Sequence, residues 1–236
     1  MNHWADALRE LVRRRGRSLL SLLSVVIAVA ALVAVRAATD TTRAAYQRVF
    51  QALAGHADLE VVASGGGRFD QKILDAIRPL AGIRAVAPVF QRATILYAGN
   101  QRLKVLASGI VPDEPESLAG FKLASGKLPQ GADELLLETG MADSLRLHLG
   151  EKVRLMTSRG IRPFKISGLV SLENAVRLQQ GGMLLAPIAP LQGAFRAAGK
   201  VDALHLFLER GASVRQVEAE VARLLPEQLT VRVPSA

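Results

Sequence analysis

The chain has 236 residues, a formal net charge of +9 and no cysteine. A composition of 50% hydrophobic and 22% charged residues is typical of one or two folded domains rather than of a disordered tail. The lack of cysteine excludes disulfides, thiolate metal sites and cysteine nucleophiles, and an aromatic content of 4% argues against a surface that stacks nucleic-acid bases.

The positive charge is densest near the N-terminus. Residues 1–36 contain six Lys/Arg and two Asp/Glu, whereas the remaining 200 residues contain 24 and 19. The dense cluster directly precedes the most apolar segment of the chain and consists of Arg13, Arg14, Arg15 and Arg17. The later surplus is spread thinly along the sequence, so neither a phosphate-binding stripe nor a nucleic-acid partner is predicted.

Residues 18–35 carry no charge and predict a transmembrane helix. Such a helix would be about 27 Å long, close to the hydrocarbon core of a bilayer, and Arg17 and Arg36 at its ends can reach the two interfaces. Because the arginine cluster precedes the helix, the N-terminus is predicted to be cytoplasmic and the residues after Arg36 extracytoplasmic.

Two other interpretations of this apolar segment remain open. A cleaved signal peptide is one, since residues 28–30 (Ala-Val-Ala) mimic a cleavage site, although the apolar core is longer than such peptides usually have. A buried core helix is the other, although such helices rarely run this far without a polar face.

The residues before the apolar segment also show helical spacing. The apolar stripe consists of Trp4, Leu8, Leu11 and Val12. It predicts that residues 1–17 form a short helix in the cytoplasmic interface, with the tryptophan among lipid headgroups. The alternative is that these residues are simply the first turns of the spanning helix.

Residues 36–55 predict a helical stalk that continues the membrane helix. One apolar face has the i, i+3, i+4, i+7 spacing and consists of Tyr46, Val49, Phe50 and Leu53. Gly55 follows as a C-cap, and neither Pro nor Gly interrupts the chain between Arg17 and Gly55. A continuous rod of this kind can pass motion between the membrane and an outer domain.

Residues 56–236 alternate between short strands and short helices, which predicts an α+β extracytoplasmic domain. Strands are predicted within 58–63, 83–98, 101–111, 134–138, 152–156, 163–170, 183–186, 201–209 and 229–233, and helical faces within 69–80, 139–149, 188–198 and 214–224. Gly99-Asn100 predicts a hairpin turn. The Pro- and Gly-rich stretch 112–132 is the best internal boundary, and it would separate subdomains 56–111 and 133–236.

The chain lacks the residue patterns that an enzyme would need. It has no Walker loop and no G-x-S-x-G elbow, and the Gly-rich run SGGGR at 64–68 has the composition of a turn. The acidic residues Asp133, Glu134 and Glu138 offer a catalytic carboxylate site as one alternative, but a solvated loop and strand edge explain them more simply. We therefore predict that the chain is not an enzyme and holds no metal or cofactor.

The histidines do not form a metal-binding pattern either. They are distant from each other in the sequence, at His3, His56, His148 and His205. The last of these alternates with Leu204 and Leu206 in a predicted strand, so we expect it on the opposite face, directed outward or hydrogen-bonded.

Two stretches resemble a known family. Residues 8–35 look like the start of MacB/FtsX-type ABC transporter permeases, in which a basic interfacial helix leads into the first membrane helix. Residues 126–156 are similar to the periplasmic core of that family: a loop led by Gly126, an acidic strand at 134–138, a short helix, a turn at 150–152 and a further strand. The strand at 163–170 and the alternating elements of 183–233 fit the same pattern.

The resemblance implies a permease subunit in the bacterial inner membrane. In this family a separate cytoplasmic ABC ATPase binds and hydrolyses ATP, a second permease subunit completes the pair, and membrane lipid surrounds both. Members act in efflux or in lipoprotein and lipid handling. They normally continue into three further membrane helices, whereas this sequence ends at Ala236, which predicts the N-terminal portion of a longer permease or a split or degenerate gene product.

Two other functions remain open from the sequence. One is a single-pass, membrane-anchored adaptor module that binds a periplasmic partner without coupling to an ATPase. The other is an anchored hydrolase with an unconventional site, for which the sequence offers no cluster of polar residues.

Overall fold

The chain folds as a mixed α+β domain after the segment predicted to be the stalk. The computed structural model describes residues 57–172 and 182–234, together with Val26, Ile27, Val29 and Ala30. These four residues of the predicted membrane helix are helical and exposed. The rest of that helix, the interfacial segment 1–17 and the stalk 36–55 lie outside the described residues. Within the described residues, no helix has the length and apolar character needed to cross a membrane.

The strands of residues 57–172 and 182–234 are short, apart from one. They are β1 (Leu59–Ala63), β2 (Phe69–Asp70), β3 (Ile83–Val89), β4 (Gln91–Ala98), β5 (Gln101–Ile110), β6 (Phe121–Gly126), β7 (Glu134–Glu138), β8 (Lys152–Thr157), β9 (Gly160–Leu172), β10 (Gly182–Pro187), β11 (Lys200–Val201), β12 (Ala203–Leu208) and β13 (Leu229–Arg232). The helices are α1 (Ile73–Ile77), α2 (Thr139–Leu145), α3 (Ile188–Ala194) and α4 (Val214–Leu224), with a 3₁₀ turn at Pro115–Leu118.

The smaller sheet is antiparallel and has the strand order β13-β1-β12-β3. Alternation along β12 directs Leu204, Leu206 and Leu208 into one core. The helices α1 and α4 cover that core, and both Val217 and Val221 of α4 are buried in it. The predicted amphipathic helix at 214–224 is therefore confirmed, and its buried stripe is narrower than the sequence pattern indicates.

The larger sheet closes on itself. Strand β8 pairs with β4 on one side and with β9 on the other, so β9, β7, β10, β5, β4 and β8 form a ring. Two of its pairings are parallel, β10 with β5 and β7 with β9. Buried leucines of β4, β7, β8 and β10 fill the interior with side chains from α2 and α3. The predicted hairpin at Gly99-Asn100 is confirmed by the antiparallel pairing of β4 with β5.

The run at 83–98, predicted as continuous β structure, is divided at Phe90. Strand β3 belongs to the smaller sheet and β4 to the larger one. The Pro- and Gly-rich stretch 112–132 contains the 3₁₀ turn and β6, which pairs with the C-terminal half of β9. Each sheet contains strands from both sides of this stretch, because the chain returns to the smaller sheet at β12.

Three predicted helical faces extend beyond the helices that form. Phe69 lies in β2 rather than on the helix face at 69–80, because it pairs with Val201 of β11. Helix α2 ends at Leu145, and its C-cap residue Arg146 has a left-handed φ of 55°; Leu149 therefore lies outside the helix, where it is exposed. Helix α3 stops at Ala194, whereas the sequence predicted helix to 198.

Gly126 ends β6 where the backbone approaches β9 most closely. Its φ is +79°, and a Cβ atom there would lie 2.4 Å from the Ser167 carbonyl oxygen and 2.7 Å from the Gly168 Cα. Both neighbours are backbone atoms of a central strand, so neither can move aside cheaply. A glycine is thus required at position 126, where the pattern similar to the family begins, because any side chain there would overlap with the backbone of β9.

We expect Gly126→Ala to lower the free energy of unfolding by about 2–4 kcal/mol, since it combines overpacking with left-handed strain. Urea unfolding followed by circular dichroism measures the change. The matched control is Gly65→Ala, where a Cβ atom meets nothing within 4 Å; its effect is expected to stay within about 0.5 kcal/mol. Equal losses in the two variants would contradict the steric explanation.

Candidate functional site at the junction of the two sheets

The two sheets meet where the chain crosses between them. The first crossing is at Phe90, a fully buried residue between β3 and β4. The second is at Asp202, directly before β12, whose backbone N–H donates to the Val89 carbonyl at 2.8 Å. Ile188, at the start of α3, packs against both hydrophobic cores. Any change in the angle between the sheets must therefore pass through this junction.

The Asp202 carboxylate holds the two crossings together. It accepts hydrogen bonds from the Gln91 backbone N–H at 2.8 Å and from Arg92 Nη1, which lies 2.9 Å from both carboxylate oxygens. The Arg92 guanidinium also lies over the Phe90 ring, 4.2 Å from its centroid, and Nη1 donates to the Gln91 carbonyl. Charge-assisted bonds to a half-buried carboxylate are stronger than the exposed ion pairs of the surface.

Gln192 adds a second connection, between α3 and the separate two-stranded pairing of β2 with β11, whose Phe69 and Val201 pack into the core of the smaller sheet. Its side chain is buried, and Nε2 donates to the Lys200 carbonyl at 2.8 Å and to Gln71 Oε1 at 3.0 Å. The hydrogen bonds tie α3 to β11 and to the segment that leads into α1. Neither this glutamine nor the Asp202 network was predicted from the sequence, because the partners are 110 and 121 residues apart.

The Gly-rich run 64–68 borders an open cleft of about 830 Å³ beside β2 and β13. The run is a turn, as predicted, with the Gly66 N–H donating to the Ala63 carbonyl at 3.0 Å. Lys200 and Asp70 stand at the cleft, with Nζ and Oδ2 3.5 Å apart. The Lys72 backbone N–H, which donates to Asp70, lowers the pKa of that carboxyl.

The three carboxylates that the sequence offered as a catalytic alternative have separate structural roles. Glu134 accepts from the backbone N–H groups of Gln130 and Gly131, which lower its pKa. Glu138 is the N-cap of α2, accepting from the N–H groups of residues 140 and 141 at 2.9 Å. Asp133 pairs with Arg162 at 3.0 Å. Across residues 57–172 and 182–234, no cluster of three His or acidic side chains is arranged to hold a metal ion.

Two of the four histidines, His3 and His56, lie outside the described residues. His148 is exposed, with Nδ1 3.4 Å from Glu151 Oε1. His205 is partly buried in β12, opposite Glu60 of β1 and Ala87 of β3. Burial lowers the pKa of His205, and the negative charge of Glu60 opposes that shift. It lies on the face opposite to its leucine neighbours, as predicted.

The fold is of the class found in the outer domains of ABC-type transporters. It is similar to the periplasmic region of MacB from Actinobacillus actinomycetemcomitans, with a TM-score of 0.60 and 16% identity over 76% of this chain and 90% of that one. It is also similar to the extracellular domain of the noncanonic ABC-type transporter YknZ from Gram-positive bacteria, with a TM-score of 0.58 and 13% identity over 74% and 98%.

Residues 18–224 match the family described as MacB-like periplasmic core domain. The chain belongs to this family, and the resemblance to MacB-type permeases is confirmed.

We expect Asp202→Ala to lower the free energy of unfolding by about 2 kcal/mol, because it leaves the Gln91 N–H and the Arg92 guanidinium without their acceptor. Asp202→Asn retains one oxygen acceptor and should lose about half as much. Thermal unfolding of the folded domain measures both. Asp133→Ala, which removes an exposed ion pair, is the control and should change stability by no more than about 0.5 kcal/mol. A control loss as large as that of Asp202→Ala would refute a special role for the junction.

A separate prediction concerns pH. The folded pKa of His205 lies below the ordinary value of 6.5, so the unfolded chain takes up this proton first. The contribution of His205 to stability is therefore complete above pH 6.5 and is lost as the pH falls from that value toward the folded pKa. We expect His205→Gln to reduce the loss of unfolding free energy between roughly pH 7 and pH 5. The exposed His148→Gln is the control; an unchanged pH profile in His205→Gln would show the assignment to be wrong.

Proposed function

We propose that the chain is the N-terminal portion of a permease subunit of an ABC-type transporter, in which a partner ATPase supplies ATP hydrolysis for extracytoplasmic efflux or lipoprotein and lipid handling. The observation that carries the proposal is the extent of the family match. It begins at residue 18, where the uncharged segment 18–35 also begins, and it continues to residue 224. The family match thus covers both the apolar segment and the folded domain.

In this proposal, residues 18–35 span the bacterial inner membrane and residues 1–17 lie in the cytoplasmic interface. The cluster of Arg13, Arg14, Arg15 and Arg17 sets the orientation together with Arg36, and the stalk carries displacements outward along the face that includes Tyr46 and Leu53. A second permease subunit and membrane lipid are the other proposed partners. The chain itself would bind no ATP.

The junction supports a role in transmission. The two sheets have separate cores, and they are joined by two chain crossings and by the contacts of Asp202, Gln192 and Ile188. The ion pairs of Arg78 with Glu114 and of Arg84 with Glu116 also connect them. Packed layers move relative to each other as bodies more easily than they deform internally. A displacement delivered to one sheet would therefore reach the other as a change of orientation.

The alternative is a membrane-anchored adaptor that binds an extracytoplasmic partner and has no ATPase. It shares the anchor and the outer domain, so the fold alone does not distinguish it from the permease. The two functions differ in what the chain associates with on the cytoplasmic side.

The test is co-purification of the tagged chain from detergent-solubilised membranes of its native host, with mass spectrometry of the recovered proteins. We expect a P-loop ATPase in stoichiometric amount, because the proposal places the energy source in a partner. A tagged, unrelated single-pass protein from the same membranes gives the background. Recovery of extracytoplasmic proteins alone would contradict the transporter and favour the adaptor.

A further inference from the structure

One outer face of the ring carries a concentration of positive charge that the sequence does not reveal. Strands β4, β5, β8 and β9 contain seven Lys/Arg and no Asp/Glu, although the chain has 21 acidic residues. Arg92 is engaged at the junction and Arg162 pairs with Asp133. The other five are exposed and define what we name the cationic face: Arg102, Lys104, Lys152, Arg154 and Lys165.

The strand register places these cations side by side. Arg102 lies opposite Tyr97, which in turn lies opposite Arg154 on β8, and Arg154 lies opposite Pro163 on β9. Lys152 lies opposite Lys165 in the same pair of strands. Directly opposed residues of neighbouring strands share a face, so the row runs across four strands outside the core. The fold therefore brings positively charged residues that are distant in the sequence together on one face.

Apolar side chains lie beside the charges on the same face. Met156 and Ile161 lie opposite each other on β8 and β9 and are 38% and 51% exposed. The Arg154 guanidinium lies 5.9 Å from the centroid of the Tyr97 ring. Basic residues beside exposed aliphatic side chains and a tyrosine are typical of protein surfaces that lie in a bilayer interface.

The acidic groups near the face are engaged elsewhere. Glu134 lies opposite Lys165 in the register; its carboxylate accepts from two backbone N–H groups, and the charge of Lys165 adds a smaller contribution to the lowering of the Glu134 pKa. Glu151 precedes β8 and lies 3.4 Å from His148. Among the ion pairs of residues 57–172 and 182–234, none involves a cation of the face. The charges of Arg102, Lys104, Lys152 and Arg154 are therefore available to an external anion, whereas Lys165 also acts on Glu134.

We propose that the cationic face binds the anionic headgroups of the bilayer in which the chain is anchored. Three of its five cations are lysines, which are depleted from protein–protein interfaces but act well as point charges toward a diffuse anionic surface. The inference rests on the proposed function, because anchorage keeps a bilayer within reach of the domain. Beyond the proposed function, this inference adds direct binding of the extracytoplasmic domain to the lipid headgroups on its own side of the membrane.

The experiment uses the full chain, one copy per lipid nanodisc, with a single label. Because the chain has no cysteine, Ser158→Cys in the exposed turn between β8 and β9 takes a fluorophore specifically. The reference discs contain phosphatidylcholine, a fixed fraction of which has brominated acyl chains. In the other discs phosphatidylglycerol replaces part of the unbrominated phosphatidylcholine, so that the bromine content stays the same. We expect quenching that rises with the phosphatidylglycerol fraction and is lost at about 1 M salt, where the Debye length is about 3 Å.

Two triple variants distinguish binding by the cationic face from an effect of net charge. Lys104→Gln, Lys152→Gln and Arg154→Gln together are expected to lower the ratio of docked to undocked domain about 100-fold. The control combines Arg210→Gln, Arg215→Gln and Arg223→Gln, which removes the same charge from exposed positions outside the ring and should retain the quenching. Circular dichroism of both triple variants checks that they fold.

Four results would overturn the inference. They are quenching that does not depend on phosphatidylglycerol, an equal loss in the control, a signal that requires two chains per disc, and a chain that does not elute with the discs. The last would also contradict the proposed anchorage. The first three, observed in discs that hold the chain, would leave the proposed function intact.

Discussion

The structure depends on the two points at which the chain passes between its two larger sheets, the ring and the four-stranded sheet. Each sheet has its own core. The two are joined at Phe90, at the crossing before β12 and through helix α3. Two ion pairs, Arg78 with Glu114 and Arg84 with Glu116, add a further connection at the 3₁₀ turn. The carboxylate of Asp202 accepts hydrogen bonds from the residues that follow the first crossing and itself belongs to the second. This side chain thus ties the two crossings to each other and is one of the contacts that set the orientation of the sheets.

This arrangement agrees with the proposed role, in which the domain passes on a displacement. Among the acidic residues considered above, Glu138 caps a helix, Glu134 supports a loop and Asp133 forms an ion pair. The permeases that the chain is proposed to join need an outer body connected to a membrane helix. In the proposed role, the closed hydrogen-bond pattern of the ring resists internal deformation. A displacement of the ring would then change the orientation of the smaller sheet.

The elements of the outer domain were largely predictable, and their arrangement was not. Strands such as β7 and β12 and the helix α4 follow from local periodicity, since alternation or a 3.6-residue stripe already shows which side chains must be buried. The division of residues 83–98 between two sheets has no local signal, because both halves are equally β-forming and the decision depends on partners more than 100 residues away. The strand β6 was missed because Pro and Gly surround it, and it forms by pairing with the long β9.

Four features follow from the order of residue types along the chain: the uncharged segment 18–35, the arginine cluster before it, the α+β composition of the remainder and the membership of the family. The closure of the ring, the network around Asp202 and the position of five cations on one face arise only in the folded domain. These depend on side chains that become neighbours only when distant strands pair. Hydrogen-bond register, rather than sequence distance, decides which charges share a surface.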